Sequence, residues 1–316
     1  MKTDRKTFLK DTALLAAGGF AGTSLLASGV HEAPAKKKPM GLQTYSLAEE
    51  LLDDLPNGLA RIVKMGFTDL ELYGYNDGKF GDYYNLKATL IDASDYKKMA
   101  DDAGINLISG HCNSRTRNPM FSRGAFNDRV EYWKMAAGAH VRLGMKYLVQ
   151  DWCLDASNAD EEKFLCELYN KVGEVVKGEG MTWAYHNHNM EFAPLLTVAQ
   201  KDSAPQKTPL YQILLEGTDP SLVLFEMDVY WMVMGQQDPC EWMKKYPGRF
   251  KLLHIKDREV IGDSGMLNLQ KIYTTGYEIG IEHFILEHEA PKDKSKSRFE
   301  IVEQSAKYIQ SAPFVK

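Results

Sequence analysis

The chain of 316 residues is long enough for one large α/β domain or two small ones, and a hydrophobic content of 44% suffices for a full core. A formal net charge of -5 gives no general attraction to phosphate backbones or anionic membranes, so we expect no nucleic-acid partner. The four cysteines contain no Cys-x-x-Cys pair and therefore predict neither a zinc ribbon nor a disulfide framework.

Residues 1–29 have the pattern of an export signal. Basic residues precede an apolar run at 12–26, and small residues follow that run. Residues 5–10 resemble a twin-arginine signal in which Lys6 replaces the second arginine. The apolar run is shorter than the ~20 residues that a membrane span needs. The sequence therefore predicts export to the periplasm, by the twin-arginine route, with no stable membrane insertion after signal removal.

Apolar runs alternate with helical patterns along residues 40–316, which we interpret as one domain that follows a basic linker at 30–39. The predicted strands are 40–45, 69–74, 105–109, 146–150, 181–185, 223–227, 250–253 and 283–286. The predicted helices are 47–65, 95–103, 129–143, 160–177, 210–215, 239–246, 267–275 and 294–310. Longer loops are expected at 75–84, 114–126 and 189–208.

The regular spacing of the strand ends predicts the fold. These ends fall near residues 45, 72, 111, 151, 186, 228, 254 and 287. The intervals are near the ~30 residues or more that one βαβ unit requires. Eight such units predict an α/β fold of the (β/α)8 TIM barrel type. A doubly wound open sheet is the alternative, but no Gly-x-Gly-x-x-Gly follows the first strand.

Four of the apolar runs end on side chains that can bind a divalent metal. These side chains are His186, Asp228, His254 and Glu287. In a parallel barrel the carboxyl ends of the strands meet on one face, so one ligand per strand is enough to assemble a site. Two imidazoles with two carboxylates suit a transition-metal ion better than structural zinc. A single histidine or aspartate after a strand is more often a capping residue, but four at matching positions favour a metal site.

The motifs around these residues resemble those of a known family. They are Tyr185-His186-Asn187-His188, Asp228-Val229-Tyr230-Trp231, Leu253-His254-Ile255-Lys256-Asp257 and Glu287-His288-Glu289. They are similar to the sugar phosphate isomerase/epimerase family of the xylose isomerase-like TIM barrel superfamily, particularly its secreted branch in Bacteroidetes-type bacteria. Many members carry glutamate where this chain has His186. The resemblance implies one divalent ion (Mn, Co, Ni, Zn or Mg) on the same four residues, and a carbohydrate substrate.

Three residues are candidates for catalysis. Glu71 faces inward on the second strand and could act as a base, or it could be a buried carboxylate paired with a cation. Lys256 follows His254 by two residues and therefore points to the same side. Its ammonium could bind an oxyanion or, with a depressed pKa, exchange protons, whereas a salt bridge to Asp257 is the structural alternative. Glu287 is expected to serve both the metal and the reaction.

Other residues near the strand ends are candidates for substrate binding. His111 and His188 could contact the substrate or exchange protons, although both could also be structural. Trp152 and Tyr230 offer aromatic faces that suit the C–H face of a sugar ring, but aromatic residues also fill barrel ends. Glu289 alternates back towards Glu287 and could contact substrate or hold a ligand in place.

The leading hypothesis is a metal-dependent sugar isomerase or epimerase that acts through a metal-stabilised enediolate on a small carbohydrate. The alternatives are a keto-glycoside lyase or hydratase that works by β-elimination on the same site, and a non-catalytic carbohydrate-binding barrel. A phosphodiesterase similar to endonuclease IV would need more metal ligands and a basic face, which the acidic chain lacks. The predicted export disfavours a phosphorylated substrate. The sequence makes no prediction of the oligomeric state.

Overall fold

Strands and helices alternate along the chain in the computed structural model, which describes residues 39–76, 79–80, 89–152, 154, 156–192 and 208–316. The strands are β1 (Gly41–Gln43), β2 (Asp69–Tyr73), β3 (Tyr75–Asn76), β4 (Lys79–Phe80), β5 (Thr89–Leu90), β6 (Asn106–Cys112), β7 (Tyr147–Gln150), β8 (Thr182–His186), β9 (Val223–Asp228), β10 (Phe250–Ile255) and β11 (His283–Leu286). The helices are α1 (Glu49–Leu52), α2 (Leu55–Met65), α3 (Ala93–Ala103), α4 (Arg123–Val141), α5 (Ala159–Gly178), α6 (Leu210–Gly217), α7 (Val229–Met234), α8 (Pro239–Lys245), α9 (Leu269–Ile279) and α10 (Arg298–Ser311).

Within the described part of the chain, eight strands close into a parallel barrel in the order β1, β11, β10, β9, β8, β7, β6 and β2. The barrel closes because β1 pairs with both β2 and β11. The predicted (β/α)8 fold is therefore confirmed. The register places His254 beside Asp228 and His186 beside Glu226, so residues far apart in sequence become neighbours at the carboxyl ends of the strands.

The helical pattern at 47–65 forms two helices rather than the one that was predicted. The carboxylate of Asp54 accepts the N–H of Asn57 and caps the start of α2. Because an N-cap residue has non-helical dihedral angles, the first helix must end before it. Gly66, with φ of 99°, ends α2 in the left-handed conformation that glycine adopts at low cost.

Two other helix starts differ from the prediction. The carboxylate of Asp92, not Ser94, caps α3, and it accepts the backbone N–H of Ser94. Helix α4 begins at Arg123, within the segment 114–126 that was expected to be a loop, because the hydroxyl of Ser122 caps it. Both helices lie close to the barrel as a crossover connection requires.

Two elements were not predicted. Strands β3, β4 and β5 form a small antiparallel sheet in and after the expected loop at 75–84. The short helix α7 follows β9 directly, because the carboxylate of Asp228 accepts the backbone N–H of Trp231 and caps the helix. Asp228 is therefore both the N-cap of α7 and a candidate metal ligand.

Apolar side chains fill the barrel beneath its carboxyl end. This cluster separates the functional face from the opposite end of the barrel and consists of Ile108, Tyr147, Val149, Ala184, Leu252 and Ile285, with Leu224 packed against it. A larger cluster lies between the strands and the helices. Close packing on both sides of the strands holds their ends rigidly, which is what a precise site requires.

Residues 37–316 form one compact unit. The predicted export signal at 1–29 and nearly all of the linker at 30–39 lie outside the described residues. In the described part, no helix combines the length and the apolar character that crossing a membrane would require. Cys112, Cys166 and Cys240 are buried free thiols.

Candidate active site

Four barrel strands bring the predicted metal ligands together. His186 ends β8, Asp228 ends β9, His254 lies near the end of β10, and Glu287 follows β11. We call these four residues the ligand set. One ligating atom from each lies within 4.8 Å of the others, and all four side chains are buried.

The chemistry of the ligand set fits a divalent cation. It offers two imidazoles and two carboxylates, a combination that Mn, Co, Ni and Zn accept. Among the described residues, Oδ2 of Asp228 has no hydrogen-bond partner although it is buried. Burial raises the pKa of Asp228 to about 7 and outweighs the opposing charges of Lys256 and His254. A bound cation would supply the missing partner.

Two glutamates lie inside the barrel beneath the ligand set. We call Glu71 and Glu226 the carboxylate layer; both have no exposed surface. Oε1 of Glu71 lies 2.6 Å from Nε2 of His254, and Oε2 of Glu226 lies 3.1 Å from Nδ1 of His186. Each imidazole of the ligand set therefore contacts one member of the carboxylate layer.

His111 links the two members of the carboxylate layer. Its Nε2 atom lies 2.6 Å from Glu226 and 3.1 Å from Glu71. Burial opposes protonation of this imidazole, but the charges of the two glutamates outweigh burial and raise the pKa of His111 to about 9. Glu71 is also anchored by hydrogen bonds from Gln43 and Ser109, at 2.8 and 2.6 Å.

A cavity of about 420 Å³ opens onto the ligand set. Aromatic and acidic side chains dominate its wall, as is common for sites that bind small polar ligands. It is lined by Tyr45, Tyr73, His111, Asp151, Trp152, His186, His188, Asn189, Met190, Trp231, Lys256, Glu287 and Glu289.

Lys256 is a buried cation at the wall of this cavity. Its ammonium donates to Glu289 at 2.6 Å and to Glu287 at 3.2 Å, and it lies 5.1 Å from the ring centre of Trp231. Burial disfavours the charge, but Glu287, together with Asp228 and Glu289, outweighs burial and raises the pKa of Lys256. The expected alternative of a depressed pKa is therefore wrong, and the predicted salt-bridge partner, Asp257, does not appear among its ion pairs in the described residues.

His188 lies between two tryptophan rings. The ring centres of Trp152 and Trp231 are 5.2 and 5.6 Å from that of His188. Burial lowers the pKa of His188 to about 4, so the imidazole is neutral at pH 7. Its Nδ1 atom is buried and has no hydrogen-bond partner among the described residues.

Asp151 was placed on this face by the sequence but was not predicted as a site residue. It follows β7 directly and is only 6% exposed. Its Oδ1 atom has no hydrogen-bond partner among the described residues, and burial raises its pKa well above the usual value. The signal available in the sequence was its position after an apolar run, the same signal that identified the ligand set.

Four of the predicted site residues do not line the cavity: Asp228 and His254 of the ligand set, together with Glu71 and Tyr230. Glu71 lies below His254 and makes its contacts there, so its position suits orienting that imidazole rather than touching a substrate. Tyr230 does not line the cavity, whereas its neighbour Trp231 in α7 does. Glu226, whose Oε2 atom lies within 3.2 Å of the imidazoles of His111, His186 and His254, was not predicted in any role.

Comparison with known proteins agrees with this geometry. A family model described as xylose isomerase-like TIM barrel matches residues 59–312. A sugar phosphate isomerase/epimerase structure from Parabacteroides distasonis is 48% identical, with a TM-score of 0.83, and the match covers 92% of this chain and 99% of that chain. A second sugar phosphate isomerase/epimerase structure from the same organism is 41% identical, with a TM-score of 0.80, and the match covers 88% of this chain and 100% of that chain.

A shorter match relates the chain to a dehydratase. An inosose dehydratase of Clostridium perfringens is 35% identical over 100 residues, which are 32% of this chain and 30% of that protein. The matched region is thus a minor part of each protein. The similar proteins therefore include both isomerase/epimerases and a lyase.

Proposed function

Because the chain belongs to the xylose isomerase-like TIM barrel family, we propose that it is a divalent-metal-dependent enzyme of the isomerase/epimerase type that acts on a carbohydrate. The observation that carries this proposal is the convergence of the ligand set at the base of a cavity. The similarity to the two Parabacteroides distasonis isomerase/epimerases supports the reaction class.

The residues around the cavity can move protons and bind oxygen atoms. A bound divalent ion would polarise a sugar carbonyl and make the adjacent C–H more acidic. His188 is neutral at pH 7 and can accept a proton, whereas burial raises the pKa of Asp151 well above its usual value and so favours the form that can donate one. Lys256 remains charged and can hold an anionic oxygen of the substrate.

The cavity wall supports a sugar without a phosphate group as the substrate. Its described residues include no arginine, and Lys256, the single lysine among them, is already paired with Glu287 and Glu289. Phosphate groups in proteins are usually held by arginine, lysine or helix N-termini. The rings of Trp152 and Trp231 instead offer flat apolar surfaces to a sugar ring.

Elimination of water is the second candidate reaction. The similarity to inosose dehydratases supports it. Dehydration and epimerisation both begin by removal of the proton next to a carbonyl, and they diverge when a hydroxyl leaves the neighbouring carbon instead of a proton returning. A protonated Asp151 could assist the leaving hydroxyl.

Solvent exchange tests the proposed function. The purified protein is loaded with Mn, Co, Ni, Zn or Mg and incubated in deuterated water with free keto-sugars, 3-keto-glycosides and inososes, and NMR follows deuterium at the carbon next to the carbonyl. We expect exchange that needs the ion and disappears in Asp228→Ala. Asp101→Asn, which changes an exposed carboxylate on α3, should behave like the wild type.

The products separate the candidate reactions. An epimer or isomer supports the first candidate, and an unsaturated product supports dehydration. Sugar binding without exchange, with the ion bound, would contradict both enzymatic reactions and favour the carbohydrate-binding barrel.

We further propose that the protein is exported to the periplasm, on the sequence of residues 1–29. Cell fractionation of the full chain tests this. Retention in the cytoplasm, at the uncleaved length, would contradict it.

A further inference from the structure

The carboxylate layer has no part in the proton transfers described above, yet it is among the most deeply buried charged groups of the protein. Neither Glu71 nor Glu226 has exposed surface. Burying a carboxylate is costly unless several donors satisfy it, so two of them side by side in the barrel need a compensating role. Their contacts are to the imidazoles of the ligand set.

His254 contacts a carboxylate with each ring nitrogen. Nε2 lies 2.6 Å from Oε1 of Glu71, and Nδ1 lies 3.1 Å from Oε2 of Glu287. A neutral imidazole has one N–H and one lone pair. If Nε2 donates to Glu71, the lone pair on Nδ1 faces Glu287, which belongs to the ligand set. With an ion on the ligand set, Nδ1 would give its lone pair to that ion and Nε2 would donate to Glu71.

His186 follows the same arrangement with the opposite nitrogen. Its Nδ1 atom lies 3.1 Å from Oε2 of Glu226, so Nδ1 is the donor and Nε2 carries the lone pair. His111 contacts the same oxygen at 2.6 Å and Glu71 at 3.1 Å. One imidazole thus connects both carboxylates and holds them in their places.

We propose that Glu71 and Glu226 are positioning residues that fix the tautomer and the orientation of His254 and His186 for metal binding. This inference rests on the metal site of the proposed function. Carboxylates that accept the second N–H of a histidine ligand typically raise metal affinity. Removing such a carboxylate lowers the affinity by about 10- to 100-fold.

A second ion is the competing explanation of the same residues. His111, His186, Glu226 and His254 also lie close enough to hold a metal. However, His186 and His254 belong to both groups, and each neutral imidazole has only one lone pair to give. The two groups therefore compete for the same ligands. Each has two members on the cavity wall, but the ligand set supplies two carboxylates to balance the charge of a divalent ion and the lower group only one. We infer one ion for each chain.

Metal affinity tests the inference independently of activity. Glu226→Gln keeps the shape of the side chain but replaces the charged oxygen that faces His111 and His186 with a neutral and weaker acceptor. We expect the dissociation constant for Co or Zn, measured by competition with a chromogenic chelator, to rise about 10- to 100-fold. The visible absorption spectrum of the Co-loaded protein should also change, because the geometry around the ion depends on how His186 is held.

Glu191→Gln is the matched control. Glu191 is equally buried and accepts from the hydroxyl of Tyr185 and the backbone N–H of His188. Its affinity for the ion should stay within about threefold of the wild type, well below the effect of removing a supporting carboxylate. Should Glu226→Gln fail to fold, Glu71→Gln carries the same test through His254.

The outcomes separate this inference from the proposed function. A wild type that binds no ion would overturn the metal site itself. A wild type that binds one ion, with unchanged affinity in the folded variant, would overturn only the positioning role. Two ions for each wild-type chain, with one lost in Glu226→Gln, would also overturn it and would assign a second metal site to the lower group.

Discussion

At the scale of single residues, burial decides how the charged groups of the site behave. Lys256 is only 2% exposed and keeps its charge because carboxylates surround it. Its neighbour His188 is also buried but loses its charge, because burial is not outweighed by nearby carboxylates. Lys256 and His188 line the same cavity, but at pH 7 the lysine is charged and the histidine is neutral.

The first prediction at this scale concerns Lys256. We expect Lys256→Met to lower kcat/KM by about 10²- to 10³-fold, since it removes a fixed charge at the cavity wall. It should also lower the free energy of unfolding by about 3 kcal/mol, because Glu287 loses its buried partner. Steady-state kinetics and urea unfolding measure the two effects.

Lys251→Met is the matched control for this prediction. Lys251 pairs with Glu282 at 3.4 Å, and both side chains are about one-third exposed, at 32% and 34%. Exposed pairs of this kind contribute about 0–1 kcal/mol. Equal losses in the two variants would contradict a special role for Lys256.

The second prediction concerns His140, a buried histidine away from the ligand set. Its Nδ1 atom donates to the carbonyl of Ala136 at 2.7 Å, and burial lowers its pKa to about 4. Between pH 6.5 and 4 the unfolded chain binds this proton and the folded chain does not, so stability falls as pH falls through that window. His140 should therefore lower the free energy of unfolding by about 2 kcal/mol between pH 7 and pH 5.

Urea unfolding at the two pH values tests the effect of His140. The decrease in stability from pH 7 to pH 5 should be smaller by about that amount in His140→Phe than in the wild type. An identical decrease in both proteins would show that the histidine does not control this dependence.

At the scale of secondary-structure elements, a helix that lies very close to a strand needs glycine at the point of contact. A Cβ atom on Gly173, in α5, would lie 2.4 Å from the carbonyl oxygen of Leu222, just before β9. We expect Gly173→Ala to lower the free energy of unfolding by about 1–3 kcal/mol, because the backbone must shift to relieve the overlap. Chemical denaturation measures the change.

Gly138→Ala in α4 is the control for that prediction. A Cβ atom there would meet nothing within 4 Å. Alanine stabilises a helix interior by about 0.5–1 kcal/mol relative to glycine, so this variant should be more stable than the wild type. A loss of stability in both variants would show that the packing of α5 against the barrel is not the cause.

At the scale of the whole molecule, the ligand set joins four barrel strands, so a bound ion should stabilise the fold. A ligand at one hundred times its dissociation constant adds about 2.7 kcal/mol if it binds only the folded chain. We expect Tm to rise with added Mn, Co or Zn and to return to its metal-free value when a chelator is added. Calorimetry measures both.

The variant Asp228→Ala is the control for the metal-dependent Tm. It removes a carboxylate that has one unpartnered oxygen in the described structure, and its Tm should no longer respond to the ion. A Tm that does not move with metal in the wild type would count against the site.

The sequence by itself was sufficient for the barrel and for the convergence of His186, Asp228, His254 and Glu287. Strands with a regular spacing and a chemical group at each end are local features, and eight repeats leave few other topologies. Boundaries were less accurate, since caps such as Asp54 and Ser122 compete with the helical period on either side.

Only the tertiary structure decided which groups share an environment. Glu71 and Glu226 come from β2 and β9, and the closed barrel brings both to His111 on β6. No pattern within one segment shows which inward side chain lies above another, because that depends on the register between strands. The protonation states follow from the same fact. A carboxylate next to a lysine and one facing only apolar atoms have the same sequence letter, and burial with its neighbours sets their charge.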